Sequence, residues 1–146
     1  MIETADLDAP DVVALLDTHI GAARQQSATH ALDREGLRAI ELWALRDDAG
    51  ALMGLAGLKT LDHRSGEIKS VRTHADHLRK GVAARLMAHI EGEARRRGWA
   101  RLLLETHPTP PYAAARALYE RRGYTYRGPF EGYENTPESV FMELAL

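Results

Sequence analysis

The stretch that decides the fold lies near the middle of the chain, where a polar strand pattern leads through a basic turn into a helix. Residues 66–83 are Gly66-Glu67-Ile68-Lys69-Ser70-Val71-Arg72-Thr73-His74-Ala75-Asp76-His77-Leu78-Arg79-Lys80-Gly81-Val82-Ala83. Period-two alternation from Glu67 to Thr73 places charged side chains on both faces of the predicted strand. A strand that is covered by helices is normally apolar. The pattern therefore allows two interpretations, an edge strand with a half-solvated face or a strand that lines a wet cleft.

The turn after this strand has the chemistry of an anion site. Arg79 and Lys80 stand immediately before a helix that begins near Gly81. A helix N-terminus presents unpaired N–H groups with partial positive charge. The small residues Gly81 and Ala83 let the backbone approach a phosphate or pyrophosphate closely. Because the turn matches neither the P-loop motif nor the three-glycine dinucleotide motif, those two nucleotide-binding folds are disfavoured.

Strand and helix patterns extend in both directions from this turn. The predicted strands are Met1–Ala5, Ile40–Leu45, Ala51–Leu58, Glu67–Thr73, Arg101–Thr106, Tyr124–Phe130 and Val140–Leu146. The predicted helices run from Asp8 and Pro10 to about Gly21, near Leu32–Leu37, over Gly81–Arg97 and over about Tyr112–Arg122. Asp47–Gly50 favours a hairpin, whereas strands that alternate with helices favour parallel pairing in the second half. We therefore expect an α/β protein with a mixed sheet and helices on both faces.

The composition excludes several classes of protein. The chain has 146 residues with 45% hydrophobic and 27% charged content, no cysteine and a formal net charge of -2. This content is typical of a single soluble domain over residues 1–146, and it excludes disulfides, thiolate metal sites and cysteine nucleophiles. The charge balance disfavours a nucleic-acid partner. No apolar run approaches the roughly 18 residues of a membrane span and no signal peptide is recognisable, so we expect a cytoplasmic protein without a membrane partner.

The histidines and aromatic residues give weaker signals. Histidines next to carboxylates occur in Asp62-His63 and His74-Ala75-Asp76-His77, but without the spacing of a metal site such as His-Glu-x-x-His, so no metal is expected. His30 and His107 fall in predicted loops, where contact with a substrate is the alternative to a solvated side chain. Four aromatic residues could line a substrate site, namely Trp43, Tyr112, Phe130 and Tyr133. For each of them a position in the hydrophobic core is the preferred interpretation.

Three segments resemble the GCN5-related N-acetyltransferases, the GNAT superfamily. They are Gly66-Glu67-Ile68-Lys69, Leu78-Arg79-Lys80-Gly81-Val82-Ala83 and Ala117-Leu118-Tyr119-Glu120-Arg121-Arg122-Gly123-Tyr124. Leu78 departs from the family pattern, which has Arg or Gln at this position. The resemblance covers nearly the whole chain and is closer still to a bacterial subgroup, the YsnE-like acetyltransferases. It implies the GNAT fold, with a central mixed, mostly antiparallel sheet of six to seven strands that is flanked by helices on both faces.

The resemblance also implies a substrate and a set of site residues. Acetyl-CoA would be the co-substrate without a metal, and a primary amine of a small molecule or protein would be the acceptor. Tyr119 would protonate the departing sulfur as general acid, and Glu67 would act as general base, with Glu105 as the alternative. The backbone of β-strand residues would hold the pantetheine and thioester, with the Val71 N–H at the oxyanion, and the turn would hold the pyrophosphate; these residues are Val71, Arg72, Thr73, Arg79, Lys80, Gly81, Val82, Ala83 and Ala84.

Two features bear on how such a protein would work. The Leu78 departure keeps open a rival function, a non-catalytic acyl-CoA-binding or sensor module of the same fold. Residues 79–101 hold seven basic residues against two acidic ones, whereas residues 1–50 hold ten acidic against four basic, which favours an anionic cofactor and a cationic acceptor. The absence of cysteine favours direct transfer over an acetyl-cysteine intermediate. A homodimer is common in the family and is plausible here.

Overall fold

The computed structural model describes residues 1–26 and 40–146, with side chains for residues 1–18 and 40–146. The strands are β1 (Ile2–Thr4), β2 (Glu41–Arg46), β3 (Leu52–Asp62), β4 (Ser65–Thr73), β5 (Arg101–Thr106), β6 (Thr125–Arg127) and β7 (Val140–Ala145). The α-helices are α1 (Pro10–Gln26), α2 (Val82–Arg96) and α3 (Ala113–Arg121), and short 3-10 helices span Ala75–His77 and Pro110–Tyr112. The helix predicted near Leu32–Leu37 and His30 lie outside the described residues.

The strands form one sheet of seven in the order β1-β2-β3-β4-β5-β7-β6. β4 and β5 pair in parallel, whereas β1 with β2, β2 with β3, β5 with β7 and β6 with β7 pair antiparallel. The mixed, mostly antiparallel sheet predicted from the sequence is therefore confirmed. No α-helix within the described ranges has the length and apolarity that crossing a bilayer requires.

Two sequence predictions need correction in the second half of the chain. The strand predicted over Tyr124–Phe130 is shorter, Thr125–Arg127, because Gly128 and the N–H-free Pro129 follow it. The pattern favours parallel pairing in this half, and β4 and β5 do pair in parallel, but β7 lies between β5 and β6 and runs antiparallel to both. Residues 128–139, which join β6 to β7, are enough to reverse the chain direction and return it to the sheet.

β4 is an interior strand, so the edge-strand interpretation of its mixed polarity is wrong. Its sheet neighbours are β3 and β5, and its first residues Ser65–Ile68 are buried. Ser70 has a φ of 58°, a left-handed conformation that a non-glycine residue seldom adopts and that interrupts the period-two alternation of the strand. A buried, polar and locally irregular interior strand is the arrangement expected of a strand that serves a site.

The first group of densely packed residues, here called the first unit, comprises 1–59 and 69–90. The apolar face of α1 packs on β2 and β3, and this cluster is formed by Val12, Leu15, Leu16, Leu42, Ala44, Leu52 and Leu55. Arg46 on β2 fastens the start of the helix, because its guanidinium donates to both carboxylate oxygens of Asp11 at 2.6 and 3.1 Å. At the predicted hairpin turn, the Asp47 carboxylate accepts the N–H groups of Ala49 and Ala51, each at 2.9 Å.

The second unit comprises 60–68 and 91–146. On one face of β5 and β7, the side chains of Leu102, Leu104 and Met142 are fully buried, as the continuous apolar run in the sequence predicts. The register of β4, β5 and β7 defines the opposite face of these strands. Leu103 on β5 lies beside Glu67 on β4 and beside Glu143 on β7, and Glu105 lies beside Phe141. We call this surface the Glu67 face.

Candidate active site

The basic turn in the first unit leads into α2 through two residues with left-handed backbone. Arg79 has a φ of 63° and Gly81 a φ of 75°. A Cβ atom on Gly81 would meet nothing within 4 Å, so the glycine is required by its conformation rather than by lack of space. The first helical hydrogen bond runs from Arg85 N–H to the Gly81 carbonyl at 3.1 Å. The N–H groups of the four residues before Arg85 therefore precede the helical ladder and are available to an anion.

Gly54 on β3 brings the end of β4 close to the start of α2. A Cβ atom at Gly54 would lie 2.6 Å from Val82 Cγ1 and 2.8 Å from the Arg72 carbonyl oxygen, so only glycine allows this approach. The His74 N–H donates to the Met53 carbonyl at 2.8 Å and fixes the chain just beyond the strand. The structure thus gathers two parts of the predicted cofactor site, the Arg72 backbone and the N-terminus of α2.

The residues of the first unit suit an anionic, amide-bearing ligand such as the pyrophosphate and pantetheine of a coenzyme A. Arg79 and Lys80 are exposed beside the free helix N–H groups. Arg72 Nε is buried and has no hydrogen-bond acceptor within the described part of the chain. A buried donor without a partner costs about 1–3 kcal/mol, which a ligand acceptor would offset. Leu78, the departure from the family pattern, is 59% exposed and contributes no charge to this turn.

The second unit holds Tyr119 near the end of α3, and the surrounding motif explains its fixed position. Gly123, whose φ is 96°, terminates α3. The Gly123 N–H donates to the Glu120 carbonyl at 3.1 Å, and the Tyr124 N–H donates to the Tyr119 carbonyl at 3.0 Å. This pairing is a Schellman motif, which places the residue after the glycine against the last turn of the helix. The rings of Tyr119 and Tyr124 accordingly lie with centroids 5.9 Å apart.

Tyr119 is 7% exposed, and burial raises the pKa of its phenol to about 12, with a smaller contribution from Tyr112. A phenol with this pKa stays protonated at neutral pH and is available as a proton donor. Glu91 fixes the neighbouring Tyr124, because it accepts the Tyr124 hydroxyl at 3.1 Å and a two-pronged bond from Arg122 at 2.7 and 3.0 Å. Glu91 is 4% exposed and the Arg122 side chain 26%, so the carboxylate end of this ion pair is buried and the guanidinium end is half-buried.

Glu67 is the buried carboxylate of the Glu67 face, with 2% of its surface exposed. Its Oε2 accepts a hydrogen bond from the Tyr133 hydroxyl at 2.5 Å. The Tyr133 ring packs edge-on against Phe130 and tilted against Phe141, with centroid distances of 5.1 and 5.4 Å. Burial and the Glu67 carboxylate hold the pKa of Tyr133 well above its usual range, so Tyr133 is the donor in this bond.

Glu105, the alternative base, has an equivalent arrangement on the same face. The Ser139 hydroxyl donates to Glu105 Oε2 at 2.6 Å. Ser139 immediately precedes β7, and Tyr133 lies in the same connection of residues 128–139. The Glu105 charge also contributes to the raised pKa of Tyr133, so the two carboxylates are neighbours. One connecting segment therefore provides a hydroxyl donor to each candidate base.

The predicted catalytic residues of the second unit have different described neighbours. The Tyr119 ring packs against Tyr124, whose hydroxyl donates to Glu91, and Glu67 accepts the Tyr133 hydroxyl. The core interpretation is confirmed for Phe130, which is 8% exposed in a cluster with Leu103 and Phe141. For Tyr133 the core interpretation was incomplete, since its hydroxyl contacts a candidate base. The Trp43 ring contacts the His89 ring edge-to-face, with centroids 5.2 Å apart. The Tyr112 ring contacts the His107 ring in the same way, with centroids 4.5 Å apart.

Sequence reasoning missed Tyr133, Ser139 and the buried pairing of Glu91. A signal for Glu91 was present, because it lies four residues after Met87 and three before Ala94 on the apolar stripe of α2. A carboxylate on such a stripe requires a buried partner. No comparable signal marks Tyr133 or Ser139, because they lie in an irregular connection whose sequence has no periodic pattern of apolar residues.

The histidines form no metal centre within the described ranges, where no three potential ligands gather. His74 instead accepts the Asp76 N–H at 3.1 Å and caps the 3-10 helix Ala75–His77. His107 Nδ1 lies 2.7 Å from the Glu138 carbonyl, at the end of β5. These contacts give both residues a structural role in local chain geometry.

The chain is similar to known proteins in both sequence and fold. Residues 12–124 match the model of the acetyltransferase (GNAT) family. The chain is 44% identical to the uncharacterized N-acetyltransferase YsnE of Bacillus subtilis, over 99% of each chain. It is 39% identical to the uncharacterized N-acetyltransferase YedL of Escherichia coli, over 99% of this chain and 94% of YedL. A crystal structure of a Klebsiella pneumoniae protein described as an acyl-CoA N-acyltransferase superposes with a TM-score of 0.81 at 29% identity, covering 100% of this chain and 97% of that one.

These matches agree with the resemblance inferred from the three motifs. The family match spans the interval from α1 to Tyr124 and so includes β4, the basic turn and the Tyr119 motif. The likeness to YsnE confirms the predicted subgroup. The chain belongs to the GNAT family of acetyltransferases.

Proposed function

We propose that the protein is an acetyl-CoA-dependent N-acetyltransferase that transfers the acetyl group directly to a primary amine of a small molecule or a protein. The observation that carries this proposal is the buried Glu67 carboxylate, 2% exposed and bonded to a hydroxyl. Burying a carboxylate costs free energy unless it is paired. A module that only binds an acyl-CoA has no use for a base, whereas amine acetylation requires one.

The first unit provides the proposed binding groups for acetyl-CoA. Arg79 and Lys80 would attract the pyrophosphate, and the N–H groups at the start of α2 would bind its oxygens. The backbone of Val71, Arg72 and Thr73 would hold the pantetheine and the thioester, and Arg72 Nε would gain the acceptor that it lacks. No metal takes part in this proposal, because fixed N–H groups stabilise the oxyanion.

The second unit provides the proposed proton chemistry. An alkyl ammonium must lose a proton before it can attack a thioester, and Glu67 would accept that proton directly or through water. Tyr119 would protonate the departing sulfur. Burial raises the pKa of Tyr119 to about 12, so the phenol carries its proton at neutral pH.

The test is release of free CoA thiol from acetyl-CoA over a panel of amines, measured together with CoA binding by calorimetry. We expect turnover with at least one primary amine and a mass increase of one acetyl group on that amine. We expect good acceptor amines to carry a second cationic group, because residues 1–50 have an excess of acidic side chains that would attract it. Tight CoA binding without turnover on any amine would instead support the sensor module.

Leu78→Arg is expected to strengthen binding of CoA. Leu78 is 59% exposed and its backbone is extended, with φ -61° and ψ 149°, so an arginine fits there without strain. One exposed charge–phosphate contact contributes up to about 1 kcal/mol, so the Kd should fall by roughly three- to fivefold. The gain should shrink at high salt.

A matched control separates this local contact from a general charge effect. Tyr126 on β6 is 54% exposed, and Tyr126→Arg adds the same charge outside the turn. We expect its Kd for CoA to stay within a factor of two of the wild type. Equal strengthening by both variants would show that the basic turn does not bind the phosphates.

A further inference from the structure

The bond between Tyr133 and Glu67 joins two parts of the chain that are 66 residues apart in sequence. Its length of 2.5 Å is typical of a hydroxyl that donates to an ionised carboxylate. Tyr133 is held from its own side as well, because its N–H donates to the Phe130 carbonyl at 3.0 Å. The hydroxyl therefore reaches Glu67 from a tightly fixed turn.

Packing alone does not explain why this residue carries a hydroxyl. The ring fills a cluster with Phe130, Phe141, Leu103 and Leu61, and a phenylalanine would fill the same volume. A buried phenol needs an acceptor, and Glu67 supplies it. The same hydrogen bond orients the Glu67 carboxylate. The hydroxyl of Tyr133 therefore has a role that a phenylalanine ring could not fill.

Other charged side chains share the Glu67 face. Glu105 on β5 adds negative charge, and its bond to Ser139 holds it in place. Glu143 on β7 is paired with Arg127 at 2.5 Å and with Arg101 at 3.7 Å. Lys69 follows Glu67 by two residues on β4. Among these charges the Tyr133 hydroxyl is a neutral donor that gives the Glu67 carboxylate a defined direction.

We propose that Tyr133 is a positioning residue for acetyl transfer, holding the Glu67 carboxylate in one orientation so that it can accept the proton of the acceptor amine. The inference rests on the proposed function and names a residue that acts through Glu67 rather than on the substrate. Removal of the hydroxyl takes away one of the contacts that orient the carboxylate. A less well-oriented base slows the step in which the amine is deprotonated.

The test is the split between kcat and KM in Tyr133→Phe, with Ser139→Ala as the parallel variant for Glu105. We expect kcat in Tyr133→Phe to fall roughly tenfold, because the base is held less firmly toward the amine. The KM for acetyl-CoA should stay within twofold, and Ser139→Ala should lower kcat by less than twofold.

Two controls exclude a structural explanation. Tyr126→Phe removes a hydroxyl from an exposed tyrosine and should leave kcat and KM unchanged. Thermal melting of Tyr133→Phe should match the wild type within a few degrees, because the ring cluster is preserved.

The inference and the proposed function fail in different ways. An unchanged kcat in Tyr133→Phe, beside a wild-type protein that acetylates an amine, overturns the role of Tyr133 and leaves the acetyltransferase proposal standing. A kcat that falls only in Ser139→Ala assigns the base to Glu105 and likewise overturns that role. Wild-type protein that binds CoA and acetylates no amine removes the proposed function, and the inference with it.

Discussion

Glu67→Gln is expected to lower kcat by roughly 10²- to 10³-fold, the range of a lost general base. Glutamine keeps the shape of the side chain, and its amide oxygen can accept the Tyr133 hydroxyl, so the local packing survives. The change keeps the volume of the side chain and leaves the proposed phosphate-binding groups Arg79, Lys80 and the N-terminus of α2 untouched. The Kd for CoA should therefore change by less than twofold, as measured by calorimetry beside steady-state kinetics.

Glu105→Gln is the matched comparison for this prediction. Glu105 is on the same face and accepts a hydroxyl at nearly the same distance, but it lies on β5 and is half-buried rather than buried. We expect its kcat to fall by less than tenfold. A large loss in Glu105→Gln with near wild-type turnover in Glu67→Gln would exchange the roles of the two carboxylates.

The sequence predicted the elements of the fold well because their signals are local. The run Leu102-Leu103-Leu104 marked β5 at Arg101–Thr106 with the correct ends, and Gly98 and Gly123 marked the ends of α2 and α3. Sheet order was less accessible. The position of β7 between β5 and β6 depends on the path of residues 128–139, which carry no periodic pattern.

The candidate site divides in the same way. Arg79, Gly81 and the Tyr119 motif could be singled out as candidates because each belongs to a short pattern with its own local geometry, namely a left-handed turn or a Schellman motif. The contact of Tyr133 with Glu67 is a long-range one, and a single sequence contains no record of which loop residue reaches which strand. Burial of Glu67 was equally hidden, since charge on both faces of β4 also suited an edge strand.

Arg122→Met is expected to destabilise the fold by about 3 kcal/mol, because it leaves a buried carboxylate without its counter-charge. Glu91 is 4% exposed and would retain the Tyr124 hydroxyl as its hydrogen-bond donor within this cluster. In a chain of 146 residues this loss corresponds to a fall in Tm of about 10 °C. Thermal melting and urea unfolding would measure it. Methionine preserves most of the length and volume of the arginine stem, so the loss reports on charge.

Two further variants identify the origin of this loss. Arg121 occupies the neighbouring position in the motif but is exposed, so Arg121→Met should change stability by less than about 0.5 kcal/mol. The triple variant Glu91→Leu, Arg122→Met, Tyr124→Phe removes the charge pair together with the hydroxyl that depends on it. Because replacement of a buried ion pair by apolar residues is often neutral, this variant should recover most of the lost Tm. If it melts as low as Arg122→Met, the ion pair is needed to fix the last turn of α3 and with it the ring of Tyr119, a role that apolar packing does not replace.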